Sequence, residues 1–122
     1  MRLGELDAGQ GVVVIGNRIV ALEGAEGTDE MLQRVADLRV NGKLPNKAGG
    51  VLIKLSKPQQ DKRVDLPTIG AKTVLNAANA QLKGIAVQAE NTLISNVDET
   101  VACAEAEGIF IYGLPPERSE GP

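Results

Sequence analysis

The sequence predicts an α/β fold: a mixed sheet with an N-terminal β-hairpin and three main helices, in the order ββαβαββαβ. Three observations support this. Gly16-Asn17 separates two aliphatic runs and suits the positive φ of a two-residue hairpin turn. Apolar residues recur at helical spacing before Gly42 and before Gly84. A strand, a helix and a strand over residues 51–88 form a crossover unit, so its two strands should be parallel and the crossover right-handed.

The hairpin strands are expected at about residues 10–15 and 18–23. The first helix has Thr28 as its predicted N-cap, Asp29 and Glu30 in its first turn, and Gly42 beyond its end. Its inward-facing stripe is predicted to contain Met31, Leu32, Val35, Leu38 and the stem of Arg39.

After a loop rich in Gly, Pro and Asn, "VLIKLS" predicts a short interior strand at 51–55. An alanine-rich helix over about 70–83 follows. "IAVQ" and "TLIS" are two further predicted strands, "NVDETVACAEAEG" a second amphipathic helix capped by Asn96, and "IFIYG" the closing strand. The predicted inward residues of the alanine-rich helix are Val74, Leu75, Ala78 and Leu82. We expect one α/β domain over 1–114 and a disordered tail over 115–122.

Composition limits the chemistry. The 122 residues fit one domain, and no apolar run is long enough to span a membrane. The single cysteine, Cys103, cannot form an internal disulfide, so nothing requires an oxidising compartment and the cytoplasm is the default. Cys103 is expected to be a small buried apolar side chain. With no histidine, Ser-His-Asp and Cys-His catalysis and histidine-bound zinc are excluded. A metal here should be a hard, oxygen-bound ion such as Mg²⁺.

The charge is segregated along the chain. Residues 39–83 carry nine cations and two acids, whereas both flanks are acidic and the net charge is -3. A basic centre in an acidic protein with two aromatic residues favours an anionic ligand over nucleic acid. The alternative is an ordinary solvated basic face.

The stretch "KPQQDKRVDLPTIG", residues 57–70, follows the interior strand and precedes a helix, so we expect it at the carboxyl edge of the sheet, where ligands bind in α/β folds. Thr68, Gly70 and Lys72 near that helix start, with no acid after Asp65, predict an anion cradle. "GTDE" is the poorer cradle because its acids would repel a phosphate. The structural alternative is that Thr68 caps the helix and Pro67 begins it.

Asp65 and Asp61 are the only acids in the basic block. With Lys57, Lys62 and Arg63 they supply what phosphoanhydride hydrolysis needs: carboxylates for a metal and cations for the developing charge. The alternative is that Asp65 caps a turn and the cations balance the acids.

The segments "GQGVVV", "ALEGAEGTDEML", "KPQQDKRVDLPTIGAKTV" and "LKGIAVQAENTLI" occur in this order. Over roughly residues 5–114 the chain thereby resembles the C-terminal domain of the LpxI class of UDP-2,3-diacylglucosamine pyrophosphatases. The resemblance implies hydrolysis of UDP-2,3-diacylglucosamine to UMP and 2,3-diacylglucosamine 1-phosphate in lipid A biosynthesis. It also implies a divalent metal, usually Mg²⁺.

By this resemblance Asp65 is the catalytic or metal-binding carboxylate, and Asp61 is the second expected metal ligand. The resemblance also places "EGTD" in the substrate cleft, against the repulsion expected from its acids. The resemblance and the predicted anion cradle together give the expected substrate-binding residues, which are Glu26, Gly27, Thr28, Asp29, Lys57, Gln60, Arg63, Thr68 and Gly70.

Members of that family carry another domain before this one, with the cleft expected between the two. The chain is therefore expected to be the C-terminal half of the enzyme and inactive alone. Its expected partners are the substrate, the lipid product, the missing N-terminal domain and a second copy in a homodimer, but no nucleic acid. Its expected place is the cytosolic face of the inner membrane, with at most peripheral contact. The alternatives are a non-catalytic module that binds a nucleotide-sugar lipid, and a dimerisation domain.

Overall fold

The computed structural model describes residues 9–24, 26–45, 47–56, 68–88 and 93–114. They form seven strands and three helices: β1 Gly9–Ile15, β2 Arg18–Leu22, α1 Thr28–Val40, β3 Val51–Ser56, β4 Thr68–Ile69, α2 Ala71–Asn79, β5 Gly84–Gln88, β6 Leu93–Ile94, α3 Val97–Glu107 and β7 Phe110–Leu114. The predicted order is confirmed, with the two-residue β4 as an addition. The tail predicted at 115–122 lies outside the described residues.

The main sheet has five strands in the order β2-β1-β3-β5-β7. β1 is antiparallel to both β2 and β3, whereas β3, β5 and β7 run parallel. The predicted crossover through α2 therefore joins two parallel neighbours. The predicted strands "IAVQ" and "TLIS" fall in different sheets, because β6 pairs with β4 in a small parallel sheet.

The hairpin turns at the predicted pair, with Gly16 at a φ of 66°. The β1–β2 register shifts between Val13 and Val14, because Val13 pairs with Ala21 and Val14 with Ile19. Val20 is therefore the extra residue of a bulge, and it packs against the core.

The three helices pack side by side on one face of the main sheet. The core between them is aliphatic and includes Val13, Met31, Leu32, Val35, Leu52, Ile69, Val74, Ala77 and Ile85. Cys103 is half-buried against this core, as expected for a small apolar side chain. Among the described helices, none combines the length and apolar character needed to cross a membrane.

Three details of the helices differ from prediction. α1 has Gly27, at a φ of 94°, as its N-cap rather than Thr28, which is its first residue. α2 begins at Ala71 after Gly70 and ends at Asn79, well before Gly84. Leu75 on α2 is 45% exposed rather than inward.

Arg39 anchors the residue that follows α2. This side chain is 1% exposed, and its guanidinium donates to the carbonyl oxygen of Ala80 just beyond α2 at 2.6 Å. It also donates to the carbonyls of Pro45, Lys47 and Gly49, each at 2.6 Å. Burial lowers the pKa of Arg39 from its ordinary value. The four bonds fasten the ends of α1 and α2 to the loop before β3.

Candidate functional site

The segments that the sequence analysis predicted to be functional lie at the carboxyl edge of the sheet. The parallel strands β3 and β5 end there at Ser56 and Gln88, and antiparallel β1 begins there, since Gly9 pairs with Ser56. Helices α1 and α2 both start at this edge. The exposed pair between Asp29 and Lys72 joins their first turns, with 3.7 Å between Oδ2 and Nζ.

A partly buried polar cluster of Glu23, Thr28 and Lys54 lies beneath the start of α1. Lys54 is 7% exposed, and its Nζ donates to Thr28 Oγ1 at 2.6 Å and to Glu23 Oε1 at 3.4 Å. Thr28 Oγ1 in turn donates to Glu23 Oε1 at 2.7 Å. The three side chains come from β3, from the residue after β2 and from the first residue of α1. They therefore tie both strands to the helix start.

Gly11 on β1 provides the space for this cluster. A Cβ at that position would lie 2.7 Å from Glu23 Oε1 and 3.1 Å from Met31 Cε. The backbone N–H of Glu23 also donates to the Gly11 carbonyl at 2.8 Å. A side chain at position 11 would push aside the ends of the Glu23 and Met31 side chains, so glycine leaves the carboxylate in place for Lys54 and Thr28.

The "EGTD" residues have distinct positions. Gly27 has the positive φ that a side chain would strain, and its carbonyl accepts from the Met31 N–H at 3.1 Å. Thr28 has a single hydroxyl proton, and Glu23 holds it. Thr28 can therefore offer a ligand its backbone N–H but not that proton. N–H groups in the first turn of a helix have no partner within the helix.

Glu26 is held by an arginine rather than turned to the cluster. Arg34 donates to its Oε2 through Nε at 2.9 Å, and the Nη2–Oε2 distance is 2.6 Å. The hydrogen bond from Arg34 lowers the pKa of Glu26 from its ordinary value of 4.5. Arg34 Nη2 also donates to the Leu22 carbonyl, so the pair braces the loop between β2 and α1.

The second predicted cradle lies at the start of α2. Gly70 is the N-cap, its N–H donates to Thr73 Oγ1 at 3.4 Å, and the first turn carries no acid. The alternative in which Thr68 caps this helix and Pro67 begins it is wrong, because Thr68 belongs to β4. The lack of an acid in this turn agrees with the sequence prediction.

The described site residues thus gather at one edge: Glu26, Gly27, Thr28 and Asp29 at α1, and Thr68 and Gly70 at α2. Lys57, Gln60, Asp61, Arg63 and Asp65 lie outside the described residues. Within the described ranges, no three His, Cys, Asp or Glu side chains cluster as a metal site would require. Glu23 and Lys54 were not predicted, although one lysine on the inner face of "VLIKLS" was an available signal.

Comparison with known proteins identifies the family. Residues 1–112 match the sequence model of the LpxI C-terminal domain. Over 118 residues the chain is 44% identical to the UDP-2,3-diacylglucosamine pyrophosphatase LpxI of Caulobacter vibrioides. The match covers 95% of this chain and 42% of that relative, so the chain spans less than half the relative's length.

A solved structure shares the fold. A protein from Desulfotalea psychrophila, provisionally assigned as a formate dehydrogenase accessory protein, superposes with a TM-score of 0.56 at 16% identity. The superposition covers 93% of this chain and 43% of that one, and at this identity it bears on the fold alone. From the family match and the Caulobacter relative together, the chain belongs to the LpxI C-terminal domain family.

Proposed function

We propose that this domain supplies one half of a metal-dependent pyrophosphatase site. The substrate is UDP-2,3-diacylglucosamine, and the products are UMP and 2,3-diacylglucosamine 1-phosphate, as in lipid A biosynthesis. The observation that carries the proposal is the meeting of two helix starts, joined through Asp29 and Lys72, at the edge where β3 ends and β4 begins. Residues 57–67, with the proposed catalytic groups, connect those two strands.

The helix starts are suited to a diphosphate. Each presents first-turn N–H groups and the positive end of a helix dipole, and anions bind at such ends. The α2 start has no acid to oppose an anion. At the α1 start, Lys72 partly offsets the charge of Asp29. This pairing weakens the repulsion of a phosphate that the sequence predicts for the acids of this turn. We assign pyrophosphate contacts to these backbone groups and to Lys57, Gln60 and Arg63.

A hard divalent cation such as Mg²⁺ fits the donors available. The chain has no histidine, and Cys103 lies in α3 with its Sγ near the Ala71 carbonyl, so oxygen is the available ligand atom. We propose Asp65 and Asp61 as the residues that hold it. When bound, such an ion polarises phosphoryl oxygens and lowers the pKa of bound water. Asp65 is also the proposed group that orients the attacking water.

The other half of the site is proposed to come from the N-terminal domain of the complete enzyme. The relative's additional length supports this, because the matched region is 42% of that protein. We propose that the complete enzyme acts at the cytosolic face of the inner membrane, since the acyl chains of the substrate reside in that membrane. We also propose that the chain pairs with a second copy of itself.

The test is a chimera in which this chain replaces the matched region of the Caulobacter vibrioides relative. We expect hydrolysis of UDP-2,3-diacylglucosamine by the chimera in Mg²⁺, loss of it in chelator, and none by the 122-residue chain alone. Asp65→Ala should lower turnover by about 10²- to 10³-fold, the scale of losing one key electrostatic group. Asp37→Ala, at an exposed position on α1, is the matched control.

Three results would contradict the proposal: near-normal turnover of Asp65→Ala, activity that survives chelator, and strong hydrolysis by the isolated chain. A chimera that folds and binds the lipid product tightly without metal, yet never hydrolyses the substrate, would instead favour the non-catalytic binding module. Calorimetry with 2,3-diacylglucosamine 1-phosphate, with and without Mg²⁺, separates these readings.

A further inference from the structure

Lys54 is the only charged side chain buried on a strand within the described ranges. It lies on β3 between Gly11 of β1 and Val87 of β5, which pair with it in the sheet. Gly11 has no side chain and Val87 is apolar, so neither neighbour offers the ammonium group a polar side chain. An ammonium group on a residue with 7% exposure has lost most of its hydration, and its hydrogen bonds must compensate for that loss.

The hydrogen bonds of Lys54 favour the hydroxyl of Thr28 over the carboxylate of Glu23. The Nζ atom lies 2.6 Å from Thr28 Oγ1 but 3.4 Å from Glu23 Oε1, whereas a direct ammonium–carboxylate bond is usually about 2.7–2.9 Å long. The same hydroxyl donates to Glu23 Oε1 at 2.7 Å. The two charges are therefore joined mainly through Thr28. Because charge compensation alone would not require this bridge, we infer that the cluster also holds Thr28 in place.

The start of α1 has no side-chain cap that could hold it instead. Its N-cap is Gly27, at a φ of 94° and a ψ of 170°, and makes no side-chain hydrogen bond to the helix. The N–H of Gly27 donates to the Gly24 carbonyl at 3.3 Å, which is long for such a bond. The 2.6 Å bond from Lys54 is therefore what fastens Thr28 to β3. Since the first-turn N–H groups have no partner within the helix, their direction depends on this anchor.

We propose that Lys54 is a positioning residue for hydrolysis, which acts through the Thr28 hydroxyl to fix the first-turn N–H groups of α1 against the pyrophosphate. This role rests on the proposed function, which assigns pyrophosphate contacts to those groups. Binding and catalytic groups work well only when they are held within about 0.5 Å of their productive position. A short hydrogen bond from a buried strand lysine supplies that constraint, and Lys54 itself need not touch the substrate.

The first test is a double-mutant cycle in the chimera, with Lys54→Met and Thr28→Val made alone and together. Each single variant should lower kcat per folded molecule by about 10- to 100-fold, the scale for residues that orient ligand-binding groups. The double variant should lose no more than the larger single effect, because both substitutions remove the same link. KM should change by less than about threefold, because misdirected donors affect the developing charge more than the bound substrate.

Two further variants separate positioning from stability. Thr28→Ser retains the hydroxyl and should keep kcat within about threefold of wild type. Arg39→Met is the matched control, because Arg39 is also a buried cation but contacts carbonyls after α2 and before β3. It should weaken the fold and leave kcat per folded molecule unchanged. Circular dichroism gives the folded fraction of each variant.

Amide hydrogen exchange of the 122-residue chain tests the anchor without any reaction. The N–H of Met31 donates to the Gly27 carbonyl in the first turn of α1. In Lys54→Met its exchange should become faster by about tenfold or more relative to that of Val35, further along the same helix. General destabilisation would not change this ratio in favour of the first turn, so Arg39→Met should leave it as in wild type.

Four results would overturn the positioning role of Lys54. They are multiplied losses of kcat in the double variant, a loss in Thr28→Ser as large as in Thr28→Val, an equal loss in Arg39→Met, and an unchanged exchange ratio for Met31 in Lys54→Met. A wild-type chimera that never hydrolyses the substrate would refute the proposed function instead. The exchange experiment would then still decide whether Lys54 anchors the start of α1.

Discussion

Two buried cations, Arg39 and Lys54, lie at opposite edges of the sheet and have different partners. Arg39 is 1% exposed and Lys54 is 7% exposed. Among the described residues, the partners of Arg39 are backbone carbonyls at the amino edge, where β3 and β5 begin. Lys54 contacts a carboxylate and a hydroxyl at the carboxyl edge, beside the candidate site.

The difference shows two ways of compensating a buried positive charge, one that stabilises the fold and one that also positions the candidate site. A buried charge must be compensated, and either carbonyl dipoles or an opposite charge can do so. Four carbonyls hold Arg39 within fixed backbone, so it stabilises the fold. The cluster around Lys54 includes Thr28, the first residue of α1. The cluster therefore fixes the position of the first-turn backbone N–H groups that we propose bind the substrate. The comparison predicts that Arg39 affects stability alone and Lys54 affects both stability and function.

The largest expected effect on stability is that of Arg39→Met. The substitution leaves one buried and three partly buried carbonyls without their charged donor, and we expect a loss of about 3–5 kcal/mol in the free energy of unfolding. Urea denaturation of the chain measures it. Arg34→Met on the same helix, where the side chain is half exposed, should lose less than about 1 kcal/mol. An equal loss in both variants would contradict the anchoring role of Arg39.

Lys54→Met should have the next largest effect on stability, about 2–3 kcal/mol, because Glu23 stays buried without its cation. In the chimera we also expect turnover per folded molecule to fall by about 10- to 100-fold, as for residues that orient ligand-binding groups. Arg39→Met should leave turnover per folded molecule unchanged. Lys43→Met, at an exposed position, is the control. If Lys54→Met changed stability alone, both buried cations would be purely structural.

Thr28→Val should destabilise the chain by about 1–2 kcal/mol, because it removes the hydroxyl between Lys54 and Glu23 while preserving the branched shape. Thr28→Ser retains the hydroxyl and should lose less than half as much. Thermal unfolding of the two variants measures the difference. Equal losses would mean that the Thr28 methyl group, rather than its hydrogen bonds, supports the helix start.

Glu26→Gln should have the smallest effect, and it should appear only with pH. The pKa of Glu26 is lowered in the folded state, so its pair with Arg34 adds stability above the ordinary value of 4.5, and this is lost as pH falls through the folded pKa. The midpoints of wild type and variant should therefore differ slightly at neutral pH and converge in acid. A gap that widens in acid would contradict this sign.

The order of elements could be predicted because each has a local cause. The Gly16-Asn17 turn and the apolar periods depend on neighbouring residues only. The end of α2 could not be predicted, because the chain turns out of the helix at Gln81, a residue other than glycine that takes a positive φ of 63°, and the Leu82 N–H turns back to the Ala77 carbonyl there. The Glu23–Thr28–Lys54 cluster was missed because its members come from the residue after β2, the start of α1 and β3, which meet only in the fold.

The position of the described candidate residues in the fold was predicted in part, whereas their roles stay predictions. The sequence pointed to the carboxyl edge, and the two helix starts do lie there. The capping role of Thr28 was wrong because Gly27 is the N-cap and Thr28 is the first helical residue, which leaves the Thr28 hydroxyl for a strand lysine. The roles of Asp65 and its neighbours stay predictions, since they depend on a segment outside the described residues.

The Arg39 anchor has a consequence for motion. At one end, Arg39 of α1 donates a buried hydrogen bond to the residue after α2 and three part-buried ones to the loop before β3, whereas at the other end the first turns of α1 and α2 are joined by an exposed ion pair of 3.7 Å. Any separation of the two helices should therefore pivot about Arg39 and be widest beside the cleft. Amide hydrogen exchange should accordingly be fastest in the first turns and slowest around Ala77 and Ala80.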